Sequence, residues 1–165
     1  MGFGIEVGSH AGGSNWIIKN NLIVNAGGLI CPSADTFTID NNSYYNWVPF
    51  NYLASTSAYG GISTLAAWQT ALGGCPSTGR ECNSITANPN LNSNYTEQAS
   101  SPTVGAGANL TTVKLTALDY GKSVNIGNGY SGTPYGNARP STGAWDIGAY
   151  QYNRPPSPTN LRIIQ

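Results

Sequence analysis

The sequence predicts an all-β fold in which short parallel strands stack as a small solenoid, with one short helix inserted. The main observation is an internal repeat: segments 16–25 (WIIKNNLIVN) and 37–46 (FTIDNNSYYN) align without a gap, about 21 residues apart. A solenoid places equivalent positions of successive turns above one another, so identical residues at this spacing indicate stacking. The composition agrees, because only 8% of the residues are charged, whereas a typical soluble domain has about 25%.

Paired asparagines are the most distinctive feature of this repeat. The pair Asn20–Asn21 aligns with Asn41–Asn42, and stacked asparagines can form a ladder in which each amide donates to the next. Lys19 aligns with Asp40, which predicts an ion pair between strands stacked about 4.8 Å apart. We interpret this pair as a contact between turns, worth under ~1 kcal/mol, rather than as part of a site.

A second repeat places another strand in each turn. Gly4–Val7 (GIEV) resembles Gly28–Cys31 (GLIC) at a spacing of about one turn. Strands this short are expected to pair in parallel with the turn above and to bury one face. The residues expected on the inner face are Ile5, Val7, Ile18 and Ile39.

Residues 63–74 (STLAAWQTALGG) predict the helix. Ser63 or Thr64 is suited to the N-cap, and Gly73 is suited to end the helix in a left-handed conformation. The apolar residues of this segment share one face, which we expect to lie across the flank of the solenoid. They are Leu65, Trp68 and Leu72.

The three cysteines predict one disulfide. Cys75 and Cys82 bracket a short loop (CPSTGREC), and in a secreted chain such a pair is expected to be oxidised. The alternative is two free thiols in a loop. Cys31 is then left over, either as a small buried apolar residue or as half of an intermolecular bridge.

The rest of the chain is expected to be irregular and to end in a linker. Residues 137–152 (NARPSTGAWDIGAYQY) predict a turn and a strand, with Arg139 bridging to Asp146 or to turn carbonyls. The predicted division is 1–152 for the solenoid turns with a C-terminal capping region, and 153–165 for a proline-rich linker and a short terminal strand. Further short strands are predicted at 84–87, 103–106 and 113–115.

Composition also argues against several function classes. With 7 basic and 7 acidic residues, the chain lacks the basic face that nucleic-acid binding requires. No apolar run approaches the ~20 residues that span a membrane, and the first residues lack the pattern of a leader peptide. The polar but uncharged composition is typical of extracellular β-rich proteins. No metal site is predicted, and no cofactor is implied.

Three N-x-S/T sequons occur, at Asn41, Asn94 and Asn109. Asn41 belongs to the predicted amide ladder, where a glycan would collide with stacking. Asn94 and Asn109 lie in loop-like sequence and are the predicted glycosylation sites.

A series of motifs follows the repeat, and with it resembles the C-terminal region of bacterial right-handed parallel β-helix repeat proteins. The motifs are GISTLAAWQTALGG, NSITANPNL, SPTVGAG and GNARPSTGAWDIGAYQY. This resemblance, to secreted pectate-lyase-like proteins of the choice-of-anchor type, covers almost the whole chain. It implies a right-handed parallel β-helix with one short helix and an irregular β C-terminal region. The group mixes polysaccharide lyases, hydrolases and surface proteins, so the resemblance implies no single activity.

Four residues are candidates for a shallow carbohydrate site: Glu6, His10, Trp16 and Lys19. Trp16 or Phe37 would stack on a sugar ring, and the polar residues would line the groove. Lyase chemistry, however, needs a base together with a cation or arginine that neutralises the substrate carboxylate, and residues 1–48 contain no such cluster. The alternative is that an outward-facing glutamate on a strand is solvated surface.

The sequence therefore predicts an extracellular or cell-surface structural protein without catalysis of its own. Open solenoid ends and the terminal strand at 159–165 (TNLRIIQ), with Leu161 and Ile163, would let copies assemble head-to-tail into fibres. The alternatives are part of a polysaccharide lyase-like enzyme, or a carbohydrate-binding module. The expected partners are other copies of the chain and a polysaccharide.

Overall fold

The computed structural model describes residues 3–6, 16–32, 37–46, 50–53, 60–112, 140, 142–148 and 152 of the 165-residue chain. Within these ranges the chain forms eight strands and one helix. The strands are β1 (Phe3–Glu6), β2 (Trp16–Lys19), β3 (Leu22–Val24), β4 (Gly27–Pro32), β5 (Phe37–Asp40), β6 (Ser43–Tyr45), β7 (Phe50–Leu53) and β8 (Gly60–Ile62). The helix is α1 (Leu65–Ala71).

The internal repeat pairs as the sequence predicts. Strand β2 lies parallel to β5 with Trp16 opposite Phe37 and Lys19 opposite Asp40. Strand β3 lies parallel to β6. The second repeat also pairs in the expected register, because β1 lies parallel to β4 with Ile5 opposite Leu29.

The predicted parallel β-helix is nevertheless wrong. Each turn of such a solenoid must supply a strand to every sheet, and at least three repeats are needed for stability. Here β2–β5 and β3–β6 are two-stranded sheets, and only the sheet β1–β4–β7–β8 continues further. Its last strand, β8, runs antiparallel to β7 and ends the stack. The described residues form a small mixed β structure with one helix.

Asparagine makes the corners of the repeat possible. Asn20, Asn25, Asn41 and Asn46 all have positive φ, between 47° and 59°. The left-handed region is costly for most L-residues, but asparagine tolerates it because its side chain can bond locally. The repeated asparagines therefore specify the turns between consecutive strands.

Helix α1 agrees with its prediction. Thr64 is the N-cap, and its hydroxyl accepts a hydrogen bond from the Ala67 backbone N–H at 3.1 Å. Leu72 is the C-cap, and Gly73 follows with a φ of 99°. The helix is thus bounded by residues suited to each end.

One apolar cluster joins the helix to the repeat. Its buried members come from β2, β3, β5, β6, and α1 with its C-cap: Ile18, Ile23, Ile39, Tyr44, Trp68 and Leu72. Ile18 and Ile39 were predicted to face inward, and both are buried. The described backbone of Ile5 lies in β1, and Val7 lies outside the described residues.

The described part of the C-terminal half is less regular than predicted. The strand predicted at 84–87 is a single bridge between Ile85 and Ser43, and residues 103–106 lie in a turn region rather than in a strand. Gly107 forms a bridge with Trp145. Residues 113–115 and the linker and tail at 153–165 lie outside the described residues. In the described part of the chain, no helix has the length and apolar character needed to cross a bilayer.

Candidate functional site

The most unusual chemical group in the described residues is a fully buried carboxylate, Glu81. Its Oε1 accepts hydrogen bonds from the Tyr44 hydroxyl and from Trp68 Nε1 at 3.2 Å. Its Oε2 accepts from the Ser84 hydroxyl and from Asn42 Nδ2 at 3.4 Å. All four partners are buried as well. We call these five residues the Glu81 cluster.

The cluster saturates this carboxylate. An ionised carboxylate offers about four acceptor positions, and four side-chain donors occupy them. Burial raises the pKa of the Glu81 carboxyl above its ordinary value, and the hydrogen bonds from Ser84, Tyr44, Trp68 and Asn42 offset part of this increase. No acceptor position is left on Glu81 for a substrate, so the cluster is built to connect elements of the fold.

The loop closed by the disulfide positions Glu81. Cys75 and Cys82 are joined with Cα atoms 5.4 Å apart. Glu81 has a φ of 56°, its backbone N–H donates to the Ile39 carbonyl at 2.8 Å, and its own carbonyl accepts from Gln69 Nε2 at 2.7 Å. The loop therefore bonds to β5 on one side and to α1 on the other.

The predicted asparagine ladder forms at one of its two positions. Asn21 Nδ2 donates to Asn42 Oδ1 at 3.0 Å, and Asn42 Nδ2 continues the chain of amides to the Ile18 carbonyl. The other pair is used differently. Asn20 exchanges two hydrogen bonds of 2.8 Å with the backbone of Ala108, and Asn41 Nδ2 donates to the Ala106 carbonyl at 3.0 Å. These outer amides bind the segment 105–109 to the repeat.

The ion pair predicted between Lys19 and Asp40 is wrong, although the two residues are register partners. The Asp40 carboxylate instead accepts from the Asn83 backbone N–H at 2.7 Å and from Asn83 Nδ2 at 2.8 Å. Asp40 is buried, and a bidentate amide partner satisfies both oxygens without the cost of desolvating an ammonium group.

Two further buried acids also bond within the protein. Asp146 accepts from the backbone N–H groups of Gly105 and Tyr152, each at 2.6 Å. Glu97 accepts from the Thr103 hydroxyl. Arg139, the predicted partner of Asp146, lies outside the described residues. Among the described residues, no three histidine, cysteine or acidic side chains are grouped so that they could hold a metal ion.

The four residues predicted for a carbohydrate site are only partly described. Glu6 lies in β1, and His10 is outside the described residues. Trp16 is exposed and Lys19 is partly buried, both on β2, where their odd spacing places them on opposite faces. Phe37, the alternative stacking residue, is covered by the Arg80 guanidinium at 4.3 Å.

The three sequons differ in how their amides are used. Asn94 is exposed, and its Oδ1 accepts from the Thr96 backbone and hydroxyl. Asn109 donates through Nδ2 to the Gly143 carbonyl at 2.7 Å, and Asn41 is bound to Ala106 as described above. The predicted assembly residues Leu161 and Ile163 lie outside the described residues.

Sequence reasoning missed Glu81. The signal available was its isolation, because the chain has only 7 acidic residues and none other lies between Asp40 and Glu97. An acid next to a disulfide cysteine, in a chain so poor in charge, indicates a specific local partner. Its four partners are spread from residue 42 to residue 84, so their convergence could not be read from local spacing.

Comparison with known proteins gave no match to any family model, curated protein or solved structure.

Proposed function

We propose that this chain is a non-catalytic structural protein of the extracellular space or cell surface that associates with a second copy of itself. The observation that carries the proposal is the side of β2 that faces away from β5, which we call the β2 edge. Strand β2 pairs with β5 on one side, and no described strand pairs with its other side. Trp16 and Ile17 on this strand are each 46% exposed.

An unpaired strand edge favours association, because its N–H and C=O groups can pair with another strand. Side chains of the β2 edge add to this tendency. Trp16 and Ile17 are, with Tyr95, the large apolar residues exposed in the described part of the chain. Burying them against a second copy removes apolar surface from water.

The opposite side of the repeat is already occupied, which favours a closed dimer over a fibre. The Ile39 carbonyl accepts from the Glu81 N–H at 2.8 Å, and Ile85 bonds to the backbone of Asn42 and Tyr44 at 2.9 Å. A second copy therefore finds no free β5 edge on which to stack head-to-tail. Two β2 edges related by a two-fold axis would pair antiparallel and close the assembly.

Charge arrangement is compatible with this pairing. An antiparallel register centred on Ile17 places the two Ile17 side chains opposite each other, and Trp16 of each copy opposite Ile18 of the other. In this register the two Lys19 side chains lie at opposite ends of the pairing and stay apart. The same strand edge is thus complementary to itself.

The bonding of the buried acids supports a structural rather than a catalytic role. A general acid or base needs a position within hydrogen-bond reach of substrate. Glu81 is saturated by four side chains, and Asp40 and Asp146 each accept two hydrogen bonds from inside the protein. The disulfide is compatible with an oxidising extracellular compartment.

The test is the mass of the protein in solution, measured by light scattering and by sedimentation over a range of concentrations. We expect a dimer for the natural sequence and a monomer for Ile17→Lys, because two added lysines would face each other at the interface. Thr38→Lys is the matched control, since Thr38 is exposed and lies beside Ile17 in the register of β2 and β5. It should leave the dimer intact.

Four outcomes would contradict the proposal. A monomer at every concentration, or a dimer that Ile17→Lys does not weaken, would rule out the β2 edge. Fibres in negative-stain images that disappear on deletion of Thr159–Gln165 would favour head-to-tail assembly through Leu161 and Ile163 instead. Release of unsaturated product from polyuronates would show that the chain is an enzyme.

A further inference from the structure

An exposed tyrosine stands at the tip of a turn remote in sequence from the β2 edge. Tyr95 is 77% exposed, and its backbone has a φ of 63°. The left-handed region is strained for an aromatic residue. A residue that is both strained and exposed is not explained by packing, so a role in binding is the natural reason for the arrangement.

The turn that carries Tyr95 is held in one conformation. We call residues 91–97 the Tyr95 turn. The Asn92 N–H donates to the Thr96 carbonyl at 2.8 Å, and the Tyr95 N–H donates to the Asn92 carbonyl at 2.9 Å. Leu91 and Glu97 form an antiparallel bridge at its base. A turn fixed in this way loses little conformational entropy when it binds a ligand.

The base of the turn is anchored in the protein interior. Glu97 is buried and accepts from the Thr103 hydroxyl, and Thr103 is itself bonded to Ser101. The Ile147 N–H donates to the Thr103 carbonyl at 3.0 Å. The exposed ring therefore projects from a rigid support.

Two side-chain amides of the same turn keep one polar atom each for a ligand. Asn92 Nδ2 donates to Thr96 Oγ1 at 3.1 Å, and Asn94 Oδ1 accepts from the same hydroxyl at 2.7 Å. Within the described residues this leaves Asn92 Oδ1 as a free acceptor and Asn94 Nδ2 as a free donor. The internal bonds also fix which atom of each amide is available.

The segment that carries the ring is uncharged. Residues 83–96 contain no lysine, arginine, histidine or acidic residue, and Glu97 is buried. An ionic ligand would find no counter-charge here. A protein interface needs an apolar core around its anchors, whereas Tyr95 is the one large hydrophobic residue exposed between 60 and 112.

We infer that the Tyr95 turn is a binding site for a neutral saccharide. A sugar ring presents a face of C–H groups, which an aromatic face attracts through its quadrupole. Hydroxyls at the rim of the sugar both donate and accept, so they match Asn94 Nδ2 and Asn92 Oδ1. The residues of this site do not include Glu6, His10, Trp16 or Lys19.

The test is retardation of the folded, disulfide-bonded chain in native gels that contain one neutral polysaccharide each, from a panel of β-glucan, xylan, glucomannan and starch. Protein from a host without N-glycosylation keeps Asn94 unmodified. We expect at least one polysaccharide to retard the natural sequence. Tyr95→Ala should weaken this retention about tenfold, because the stacking face is lost.

Three further variants separate saccharide binding from other effects. Tyr95→Phe should retain binding, since the ring remains, and Asn94→Ala should weaken it because the free donor is lost. Thr86→Ala, at an exposed position of the same segment, is the control and should bind as the natural sequence does. The inference is overturned if no polysaccharide retards the chain, or if Tyr95→Ala binds normally. Retention that is lost with Trp16→Ala but not with Tyr95→Ala would place the site on β2. If Tyr95→Ala loses binding to a protein while its retention by every polysaccharide is unchanged, the turn binds a protein partner instead.

Discussion

Trp68 Nε1 donates to Glu81 Oε1 at 3.2 Å, and this bond joins α1 to the disulfide loop. The same carboxylate accepts from Tyr44 in β6 and from Asn42 at the corner before it. One buried acid thus links the helix, the loop and the repeat. Because each of these elements is short, their connection through Glu81 is expected to matter for stability.

Glu81→Ala is predicted to destabilise the fold strongly. It removes the carboxylate that accepts from Tyr44, Trp68, Ser84 and Asn42, and the loss of the acceptor of a buried donor costs about 1–3 kcal/mol. We expect a loss of about 3 kcal/mol or more in the free energy of unfolding, measured by urea denaturation. Thr86→Ala, at an exposed position nearby, is the control and should change it by less than about 0.5 kcal/mol. Equal effects of the two variants would contradict a central role for Glu81.

The cluster also predicts a pH dependence of stability. Burial raises the pKa of Glu81 in the folded state, whereas the unfolded carboxyl titrates near pH ~4.3. The folded state then binds more protons between these two values, so the free energy of unfolding falls as pH rises through this window. We expect the contribution of Glu81 to be fully present below the unfolded pKa and to be lost as pH rises through the folded pKa.

Glu81→Gln provides the comparison for this pH effect, because it cannot titrate. The unfolding free energy of the natural sequence, minus that of Glu81→Gln, should decrease as pH rises above about 4.3. Urea denaturation at a series of pH values measures it. A difference that is constant with pH would show that the folded carboxyl titrates at its ordinary pKa.

Breaking the disulfide is predicted to loosen the same cluster. Cys75 and Cys82 are 7 residues apart in sequence, and closing a loop of this size stabilises a fold by about 2–3 kcal/mol in the chain-entropy account. We expect reduced protein and the double variant Cys75→Ala, Cys82→Ala to lose stability by this amount. Agreement between the two preparations is the control for effects of the reductant on Cys31. An unchanged midpoint in urea would mean that the loop is held by its hydrogen bonds alone.

The repeat was the part of the fold that the sequence could predict. Asn21 and Asn42 are identical residues one repeat apart, and their amides bond at 3.0 Å. The strand registers and the ends of α1 could also be predicted, because they depend on local residue types. The number of stacked turns could not be predicted, because it depends on whether later segments continue each sheet. Residues 81–85 instead cover β5 and β6.

The polar interior was harder to predict because its partners are distant in sequence. Lys19 and Asp40 are aligned, yet Asp40 binds Asn83, which lies 43 residues away. In the folded protein, Asn83 satisfies both oxygens of the buried Asp40 carboxylate, whereas a lysine would have to lose its hydration to pair with it. Local pairing rules describe strand neighbours but not such loop contacts.

Asn20 is predicted to act through both its backbone and its side chain. Asn20→Gly keeps the left-handed backbone but loses two hydrogen bonds to Ala108, so we expect a loss of about 2 kcal/mol in the free energy of unfolding. Asn20→Ala loses the same bonds and adds left-handed strain, about 1 kcal/mol more. Urea denaturation measures both variants. Equal stability of the glycine and alanine variants would show that the corner can relax to negative φ.

Glycosylation is predicted to distinguish Asn94 from Asn109. Asn94 is exposed and its Nδ2 has no partner among the described residues, whereas Asn109 Nδ2 donates to Gly143 at 2.7 Å. In protein secreted from a host that performs N-glycosylation, we expect a glycan on Asn94 and none on Asn109.

Glycopeptide mass spectrometry of the folded, secreted fraction measures the occupancy of each site. Asn94→Gln should remove the glycan, while Asn109→Gln should leave the mass of the glycan unchanged. A glycan found on Asn109 in folded protein would contradict the prediction, because Nδ2 would then have to accommodate both the sugar and the Gly143 carbonyl. A glycan on Asn94 would also occupy the donor that the Tyr95 turn offers to a saccharide. The glycosylated chain is therefore expected to lose its retention in polysaccharide gels, and enzymatic removal that leaves a single sugar on Asn94 should not restore it.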